Sequence, residues 1–478
     1  MIKKCTPAIL VILILAGLIP SLRAETSGQQ TPADAERRIA DLEQQLLDLK
    51  AEVAALKAAP GNSAKLVPAV AVQSNATVPS AAAAPTTPSK PGPLDGIASV
   101  LNGATVTGLV DGYYQYNFNN PSTATTLISN TPGNYAAFRF FDPRDNQLSL
   151  NLMEFGLVKT PDADNRMGYK IIFGYGDAMQ AINLSGGDPA YLQYMKEVYG
   201  SVLLPVGKGL QVDFGKFVTP MGSEVIESNA NWNYSRSLLF NYAIPLYHFG
   251  ARAQYTFNPK VALTGFVVNG WNDVIHDNST GYNNSGKTGG LSLAYTATKK
   301  LTLTQTWLGG PGATQLDGNN WRNVFDTVIA YNATPKLSLM ANGDYGTVAG
   351  CNQYNSACLQ YNKSKNWWGG AAYAKYQFNP KYAAAVRYEY YNDPNGYTTG
   401  VVDQNGVGPH IQEVTATFER KIATHIISRL EYRHDSTNQD FVPKGKPGTP
   451  PVGYQNTLQV GLMFVLEPPP AAAAADSK

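Results

Sequence analysis

The segment YTFNPKVALTG, residues 255–265, decides the fold because the chain repeats its pattern three more times. The pattern returns as YTATKKLTLTQ from Tyr295, as YNATPKLSLMA from Tyr331 and as YQFNPKYAAAV from Tyr376. Each copy has a tyrosine, four further residues and a lysine, followed by small or apolar residues at alternate positions. The copies begin 40, 36 and 45 residues apart. A rigid solenoid needs a nearly constant period, so this spacing indicates β-hairpins whose other connection varies in length.

Alternating apolar and polar residues predict about 16 β-strands, within a range of roughly 14–18, between Ala104 and Leu466. In the first strand Val106, Val110 and Tyr114 share one face, whereas Asp111 and Gln115 share the other. Short connections such as TPDADNR, PVGKG and NATPK alternate with long loops rich in glycine and asparagine. This arrangement predicts an antiparallel up-and-down meander. A meander with an even number of strands can close into a barrel without unpaired edges.

The positions of the tyrosines favour a transmembrane barrel over a soluble β-sandwich, which also alternates strands and turns. Tyrosine marks the strand end before four of the short turns, where the aromatic girdle of an outer-membrane barrel meets the interface. The predicted fold class is therefore an all-β transmembrane antiparallel barrel, which we place at residues 94–467.

The N-terminal residues 1–24 are predicted to be a secretory signal. Lys3 and Lys4 precede an apolar run from Ala8 to Ile19, with cleavage expected after Ala24. The run has 12 residues, fewer than the roughly 20 of a spanning helix, so a membrane anchor is the weaker alternative. Without the leader the chain carries 34 basic and 35 acidic residues. This balance gives no concentrated basic face for nucleic acid.

Residues 31–58 are predicted to form a periplasmic coiled-coil helix that starts at Thr31 and Pro32. Its apolar residues keep the 3-4 spacing of heptads, and a single amphipathic surface helix is the alternative. Residues 59–93, rich in alanine and proline, are predicted to be an extended linker, and residues 468–478 a second low-complexity tail. The predicted contact residues between chains are Ile39, Leu42, Leu46, Leu49, Val53 and Leu56.

Two cysteines follow the predicted leader, Cys351 and Cys358, in the segment CNQYNSAC. A close pair in an exported protein favours a disulfide. Two thiols without a nearby histidine or acid form a poor metal-ligand set, so we expect neither a metal nor another cofactor.

Several long segments carry a resemblance to a known family: VDGYYQYNFNNPS, YGSVLLPVGKGLQVDFGKFVTPMGSEVIE and NWNYSRSLLFNYAIPLYHFGARAQYTF. They resemble the OmpL-like β-barrel porins of bacterial outer membranes. The resemblance runs through most of residues 104–467 and is densest from Tyr199 to Asn272. It implies a barrel and passive passage across the outer membrane, and it brings no catalytic motif. The heptads and the linker lie outside it.

Barrels of this size leave an aqueous channel, so the predicted function is a porin for passive diffusion of small hydrophilic solutes. A charge facing lipid costs roughly 2–4 kcal/mol at mid-depth, so charged strand residues must face water or one another. They either line the pore or brace the wall. The predicted inward set is Asp111, Asp213, Arg252, Asp344, Arg387, Glu389, Arg429, Glu431 and Arg433.

The longest loop in the middle of the domain, residues 218–247, follows the fifth strand. It holds Glu224, Glu227 and Arg236 among several aromatic and apolar side chains. By resemblance to general porins, the third outer loop is expected to fold inward and narrow the channel; a subunit contact is the alternative. Arg236 and Glu224 lie on this loop, and Arg252, Arg387 and Arg429 occupy inward strand positions with acids close in sequence. We expect these opposite charges to face each other across a narrow, water-filled gap. Ion selectivity is expected to be weak because the mature net charge is near zero.

Two other functions compete with a porin. An outer-membrane lipase or protease would need a catalytic histidine, but none of the five histidines lies in a recognisable pattern, so we predict no enzymatic activity. A structural tether would use the N-terminal segment to bind peptidoglycan and the barrel as an anchor. We expect a homo-oligomer in outer-membrane lipid, a trimer being favoured over a dimer, with the N-terminal segment and the C-terminal tail in the periplasm.

Overall fold

The computed structural model describes residues 100–121, 124–126, 129–133, 136–183, 192–272, 274, 286–311, 321–349 and 364–466. Contacts divide the chain into two compact units, Met1–Leu66 and Val67–Lys478, and every described residue lies in the second. The predicted signal, coiled coil, linker and tail, together with Cys351 and Cys358, lie outside the described residues and stay predictions.

The strands in chain order are β1 (Thr105–Asn117), β2 (Ala124–Thr126), β3 (Ser129–Gly133), β4 (Leu148–Lys159), β5 (Met167–Tyr175), β6 (Met195–Leu204), β7 (Leu210–Val218), β8 (Tyr247–Asn258), β9 (Val261–Val268), β10 (Thr288–Thr298), β11 (Leu301–Pro311), β12 (Trp321–Asn332), β13 (Leu337–Val348), β14 (Lys365–Asn379), β15 (Tyr382–Asn392), β16 (His410–Ala423), β17 (Ile426–Thr437) and β18 (Tyr454–Val465). One α-helix, α1 (Asp177–Asn183), follows β5. A 3₁₀ turn (Ser228–Ala230) and a π-helical turn (Leu239–Ala243) lie between β7 and β8.

Sixteen of these strands close into one antiparallel barrel, in which each strand pairs with its neighbour in the chain. The ring closes because β1 pairs with β4 on one side and with β18 on the other, so that Asp111 lies opposite both Leu152 and Met463. Strands β2 and β3 form a separate hairpin in the first loop. The predicted 16-stranded up-and-down barrel is confirmed, and its closure leaves no sheet edge unpaired.

The two ends of the barrel differ in the length of their connections. Seven connections of two to seven residues lie at one end, with the start of β1 and the end of β18, and we call this the turn end. Eight connections of nine or more residues lie at the other, the loop end. In both NPK turns the asparagine side chain holds the turn: Asn258 Oδ1 accepts from the Lys260 amide at 2.8 Å, and Asn379 Oδ1 from the Lys381 amide at 2.9 Å.

The inner and outer faces of the barrel carry different side chains. On β1, Val106, Val110 and Tyr114 are exposed on the outside, whereas Asp111 and Gln115 are completely buried inside. Successive residues of a strand lie on opposite faces. The alternation of apolar and polar residues in the sequence therefore gives the barrel an apolar exterior and a polar interior. No helix within the described residues is long and apolar enough to cross a membrane.

Candidate functional site

The connection between β7 and β8, residues 219–246, lies inside the barrel, and we call it the inner loop. Most of its side chains from residue 231 onward are buried, among them Tyr234, Leu238, Leu239 and Ala243, each at 0 %. The Thr219 amide donates to the Leu246 carbonyl at 3.0 Å, which brings the two ends of the loop together. The loop thereby enters and leaves the lumen at one place.

The middle of the inner loop is bound to β1 and β17. The Tyr234 hydroxyl donates to Asp111 Oδ1 at 2.7 Å, and the Ser228 hydroxyl donates to Asp111 Oδ2 at 2.5 Å. The main-chain amides of Tyr234 and Ser235 donate to the two oxygens of Glu431, at 2.5 and 2.9 Å. Buried main-chain amides need hydrogen-bond acceptors. Glu431 supplies them for Tyr234 and Ser235, and Asp111 accepts from the two hydroxyl groups.

Arg429 on β17 binds the carbonyl groups of the same stretch. Its guanidinium donates to the carbonyls of Ser228 at 2.6 Å, Asn231 at 2.7 Å and Asn233 at 3.1 Å. The same group is held from the wall by Glu419 at 2.6 Å. Only a guanidinium offers five N–H donors in a fixed plane, so this one side chain can bind three carbonyl groups of the loop at once.

Arg387 on β15 lies at the centre of a second group of charges. It donates to Glu224 of the inner loop at 2.7 Å and to the Ser235 carbonyl at 2.7 Å. Two wall carboxylates, Glu413 and Glu389, lie 2.8 and 2.9 Å from its Nε. Arg387 is 1 % exposed. The predicted water-filled gap beside Arg387 is therefore absent among the described residues, and this geometry favours the bracing alternative.

Glu389 and Arg433 hold the loop by its main chain as well. The amides of Leu238 and Leu239 donate to Glu389 at 3.1 and 3.3 Å. Arg433 donates to the Arg236 carbonyl at 2.8 Å and is paired with Asp435 at 2.7 Å. Both wall residues are completely buried.

Arg236 itself points back into the inner loop. It donates to the carbonyls of Tyr234 at 2.6 Å and of Ile226. Its guanidinium also stacks over the Phe141 ring, 5.0 Å from the centroid. At 1 % exposure it stabilises the loop's own conformation rather than facing a water-filled gap.

The start of the inner loop contacts β12 and β13. The Gly222 amide donates to Asp326 at 3.0 Å, and the Ser223 amide donates to Asn342 at 3.2 Å. Asp344 lies directly opposite Asp326 in the sheet, and neither of its buried oxygens has a hydrogen-bond donor among the described residues. The loop is thus held by strands on both sides of the lumen.

Glu227 connects the inner loop to β6 and β4. It forms an ion pair with Lys196, which also contacts Glu154 at 2.6 Å. Burial would raise the pKa of Glu227, but the Lys196 ammonium outweighs it and lowers this pKa from its ordinary 4.5 to about 2. Glu227 is therefore ionised at neutral pH.

Asp213 and Arg252 form an ion pair on the opposite wall, at 2.7 Å between β7 and β8. The Arg252 guanidinium lies over the rings of Phe217 and Tyr199, at 4.6 and 5.0 Å from the centroids. Neither Asp213 nor Arg252 hydrogen-bonds to the inner loop within the described residues. This pair consequently faces a part of the lumen that the loop leaves open.

Sequence reasoning missed several charged residues that the barrel also turns inward. Except for Lys196, which lies beside Glu197 at a register shift between β5 and β6, they follow the rule that successive residues face opposite sides, and this rule would have found them. These residues are Glu154, Lys170, Lys196, Glu197, Asp326, Lys375, Glu413, Glu419 and Asp435. No group of three or more histidine, cysteine, aspartate or glutamate side chains among the described residues could hold a metal ion.

Comparison with known proteins assigns the barrel to a family. The family model described as "Putative beta-barrel porin-2, OmpL-like" matches residues 103–466. The chain belongs to this OmpL-like family. The match spans every barrel strand, from Thr105 to Val465. It confirms the family resemblance that the sequence segments indicated.

Solved structures similar to this OmpL-like porin include other barrels. An anion-selective porin from Comamonas acidovorans has 11 % identity and a TM-score of 0.49, over 76 % of this chain and 99 % of that one. OmpF from Salmonella typhi, in complex with daunomycin, has 11 % identity and a TM-score of 0.47, over 76 % and 97 %. The channel DcaP of Acinetobacter baumannii has 13 % identity and a TM-score of 0.45, over 76 % and 97 %. No curated protein sequence matches the chain.

Proposed function

We propose that this OmpL-like porin forms a water-filled channel in the bacterial outer membrane, through which small hydrophilic solutes diffuse passively. The observation that carries the proposal is the closed barrel of 16 strands with an apolar exterior and a charged interior. Such a wall is stable only if water or other protein groups contact its inner face. Together with membership of the porin family, this supports passage of solutes rather than catalysis, and we assign no residue a catalytic role.

The inner loop is the constriction in this proposal. Its support is the set of contacts that hold residues 222–243 against the wall, from Asp326 on β12 to Asp111 on β1. Solutes would pass between the loop and the strands that it does not contact. Arg387, Arg429 and Arg433 then act on the channel by fixing the course of the loop, whereas Arg252 faces the passage itself.

The orientation and the assembly follow from the N-terminal segment. The turn end carries the start of β1, so an N-terminal segment in the periplasm places the turn end there. Heptads from Ile39 to Leu56 would join barrels from the periplasmic side, as a trimer in preference to a dimer, and would bring the segment close to peptidoglycan. Native mass spectrometry of the detergent-purified protein tests the assembly, and monomers alone would contradict it.

Single-channel recording in a planar bilayer tests the main proposal. Purified protein is expected to produce stepwise ionic currents, and liposomes containing it are expected to swell in solutions of small sugars. Absence of both would exclude a porin. The tether hypothesis would then be the better explanation of the same barrel.

A pair of substitutions tests the constriction. E431Q removes a charged acceptor from the amides of Tyr234 and Ser235, so we expect a looser loop and larger, noisier currents. D164N is the control, because it makes the same kind of change, from an acid to its amide, at an exposed residue of the turn between β4 and β5. Equal currents in the two variants would show that the loop does not limit conduction.

A further inference from the structure

Three cations of the barrel wall are more exposed than its carboxylates, whereas Arg387, Arg429 and Arg433 are as buried as the acids. Every aspartate and glutamate in the described barrel strands is buried, and none is more than 8 % exposed. In contrast, the side chains of Lys170, Lys375 and Arg252 are 21, 23 and 10 % exposed. The side chains of their acid partners, Glu197, Asp213 and Glu419, are at most 7 % exposed. Each of these pairs therefore presents its positive end to the water in the lumen.

The three cations lie in the half of the barrel nearest the turn end. Lys170 is the fourth residue of β5, which begins at a short turn. Arg252 and Lys375 lie six and four residues before the turn-end limits of β8 and β14. All three occupy inward positions of the sheet, and Lys170 and Arg252 line the same cavity.

A cavity of about 140 Å³ opens in this region between β4 and β8. We call it the basic vestibule and define it by Lys159, Lys170, Tyr199, Gln211, Arg252 and Gln254. Three of these side chains are cationic and two are amides. None of the described residues that line the cavity is a carboxylate. A solute in the vestibule therefore meets three positive charges and no carboxylate among the described lining residues.

Arg252 is already arranged to bind an anion. Its Nε donates to Asp213 at 2.7 Å, which fixes the plane of the guanidinium. Its two terminal amino groups make no hydrogen bond with the described residues, and the Phe217 and Tyr199 rings support the plane from the side. A fixed guanidinium with two available N–H groups matches a carboxylate or phosphate in bidentate geometry.

We infer that the basic vestibule binds the oxyanion group of a small solute, a carboxylate or a phosphate, and makes the channel anion-selective. The inference rests on the proposed porin function and names its class of solute. Low-dielectric walls strengthen the field of charges that line a narrow passage. The near-neutral net charge of the mature chain predicts weak selectivity only if both signs line the passage equally. In the vestibule they do not, because its described lining includes three cationic side chains and no carboxylate. Glu227 of the inner loop is 25 % exposed, but it is paired with Lys196.

Reversal potentials in a potassium chloride gradient test the selectivity. Wild-type channels are expected to pass chloride better than potassium. Q254E places a carboxylate in the vestibule without removing any ion pair, and K170Q removes one exposed cation. Each change is expected to lower the chloride-to-potassium permeability ratio about two-fold, because one unit charge beside an aqueous path changes the local ion concentration by about that factor.

Q193E is the matched control, because Gln193 is an exposed residue near the loop end and receives the same substitution outside the vestibule. It is expected to leave the reversal potential unchanged. Heat-modifiable migration in gels shows that each variant is folded. K170Q leaves Lys196 as the cation near the buried Glu197. If K170Q does not fold, the selectivity measurement on Q254E still tests the inference.

Added solutes test the oxyanion site. Sodium succinate and sodium phosphate, applied separately, distinguish a carboxylate from a phosphate ligand by which of them reduces the chloride current. The reduction is expected to be weaker in Q254E. Channels that conduct but show no chloride preference, or that neither anion affects, would overturn this inference and leave the porin function standing. Protein that does not conduct at all would overturn the porin function as well.

Discussion

Gly461 on β18 packs closely against Tyr234 of the inner loop. A Cβ atom built at this position would lie 2.3 Å from Cε2 of Tyr234. Real Cβ contacts are essentially never so short, so a larger residue must displace the Tyr234 ring, whose hydroxyl holds Asp111. The glycine is needed for space and not for an unusual backbone angle, since its φ is not positive.

The first prediction concerns this contact. G461A is expected to lower the free energy of unfolding by about 1–3 kcal/mol, the usual cost of overpacking. Urea unfolding followed by tryptophan fluorescence measures it. In a Y234A background the ring is absent, so adding G461A should cost much less. Equal costs in the two backgrounds would exclude a direct clash.

The second prediction concerns Asp344. Its carboxyl group touches that of Asp326 across the sheet, and no donor among the described residues reaches its oxygens. D344N supplies a neutral amide that can donate to Asp326, and we expect it to raise the free energy of unfolding by about 1 kcal/mol. D326N is the control, because Asp326 already accepts from Gly222 and Asn342. It should be destabilising, and a destabilising D344N would contradict the argument.

Strand parity predicts that Asp111, Arg387 and Glu431 point inward, because a period of two needs only local sequence. It cannot predict their partners. Asp111 contacts Tyr234, 123 residues away in the chain, and Glu431 contacts the Tyr234 amide 197 residues away. Such pairs depend on how far the inner loop enters the lumen, which no periodic pattern encodes. For the same reason the sequence predicts Arg236 at a water-filled gap, whereas the structure buries it.

At the scale of elements, the inner loop is an irregular segment held by charges. Its only regular parts are the 3₁₀ turn Ser228–Ala230 and the π-helical turn Leu239–Ala243. Charged side chains of the wall accept hydrogen bonds from its amides and donate hydrogen bonds to its carbonyls. Its stability is therefore expected to depend on pH.

The third prediction uses Glu227. Its pKa is about 2 in the folded protein against an ordinary 4.5, so it contributes stability that is present above pH 4.5 and is lost as the pH falls toward 2. E227Q is expected to cost about 1–3 kcal/mol at pH 7. The difference from wild type should shrink between pH 4.5 and 2.

Urea midpoints measured from pH 2 to 8 test this profile. D164N changes an exposed turn residue and is expected to leave the profile as in wild type. A difference between wild type and E227Q that stays constant down to pH 2 would show that the Lys196 pair does not stabilise the loop.

The regular elements were more predictable than the irregular ones. The strands and the short turns follow from alternation and from asparagine at positions such as Asn258 and Asn379. The hairpin of β2 and β3 and the helix α1 lie in loops at the loop end. They are too short to carry a period, and Pro132 in β3 is unfavourable to strand prediction.

At the scale of the whole molecule, the fourth prediction separates the barrel from the N-terminal segment. All barrel strands lie between Thr105 and Val465, so deleting residues 31–58 should leave the single-channel conductance unchanged. If the heptads join the chains, the same deletion should lower the temperature at which oligomers dissociate in detergent, as native gels after stepwise heating would measure. The double substitution L42A/L49A keeps the chain length and should act in the same direction. An unchanged dissociation temperature in both variants would exclude the coiled coil as a contact between chains.

The way the wall holds the inner loop has a consequence for how this channel can evolve. Glu431, Glu389, Arg429 and Arg433 bind main-chain amides and carbonyls, which every loop sequence possesses. An exposed residue of the loop, such as Ala230, can therefore be exchanged while the course of the loop is kept. Natural selection, or a protein engineer, can alter what the channel admits by changing single codons, without redesigning the scaffold that carries them.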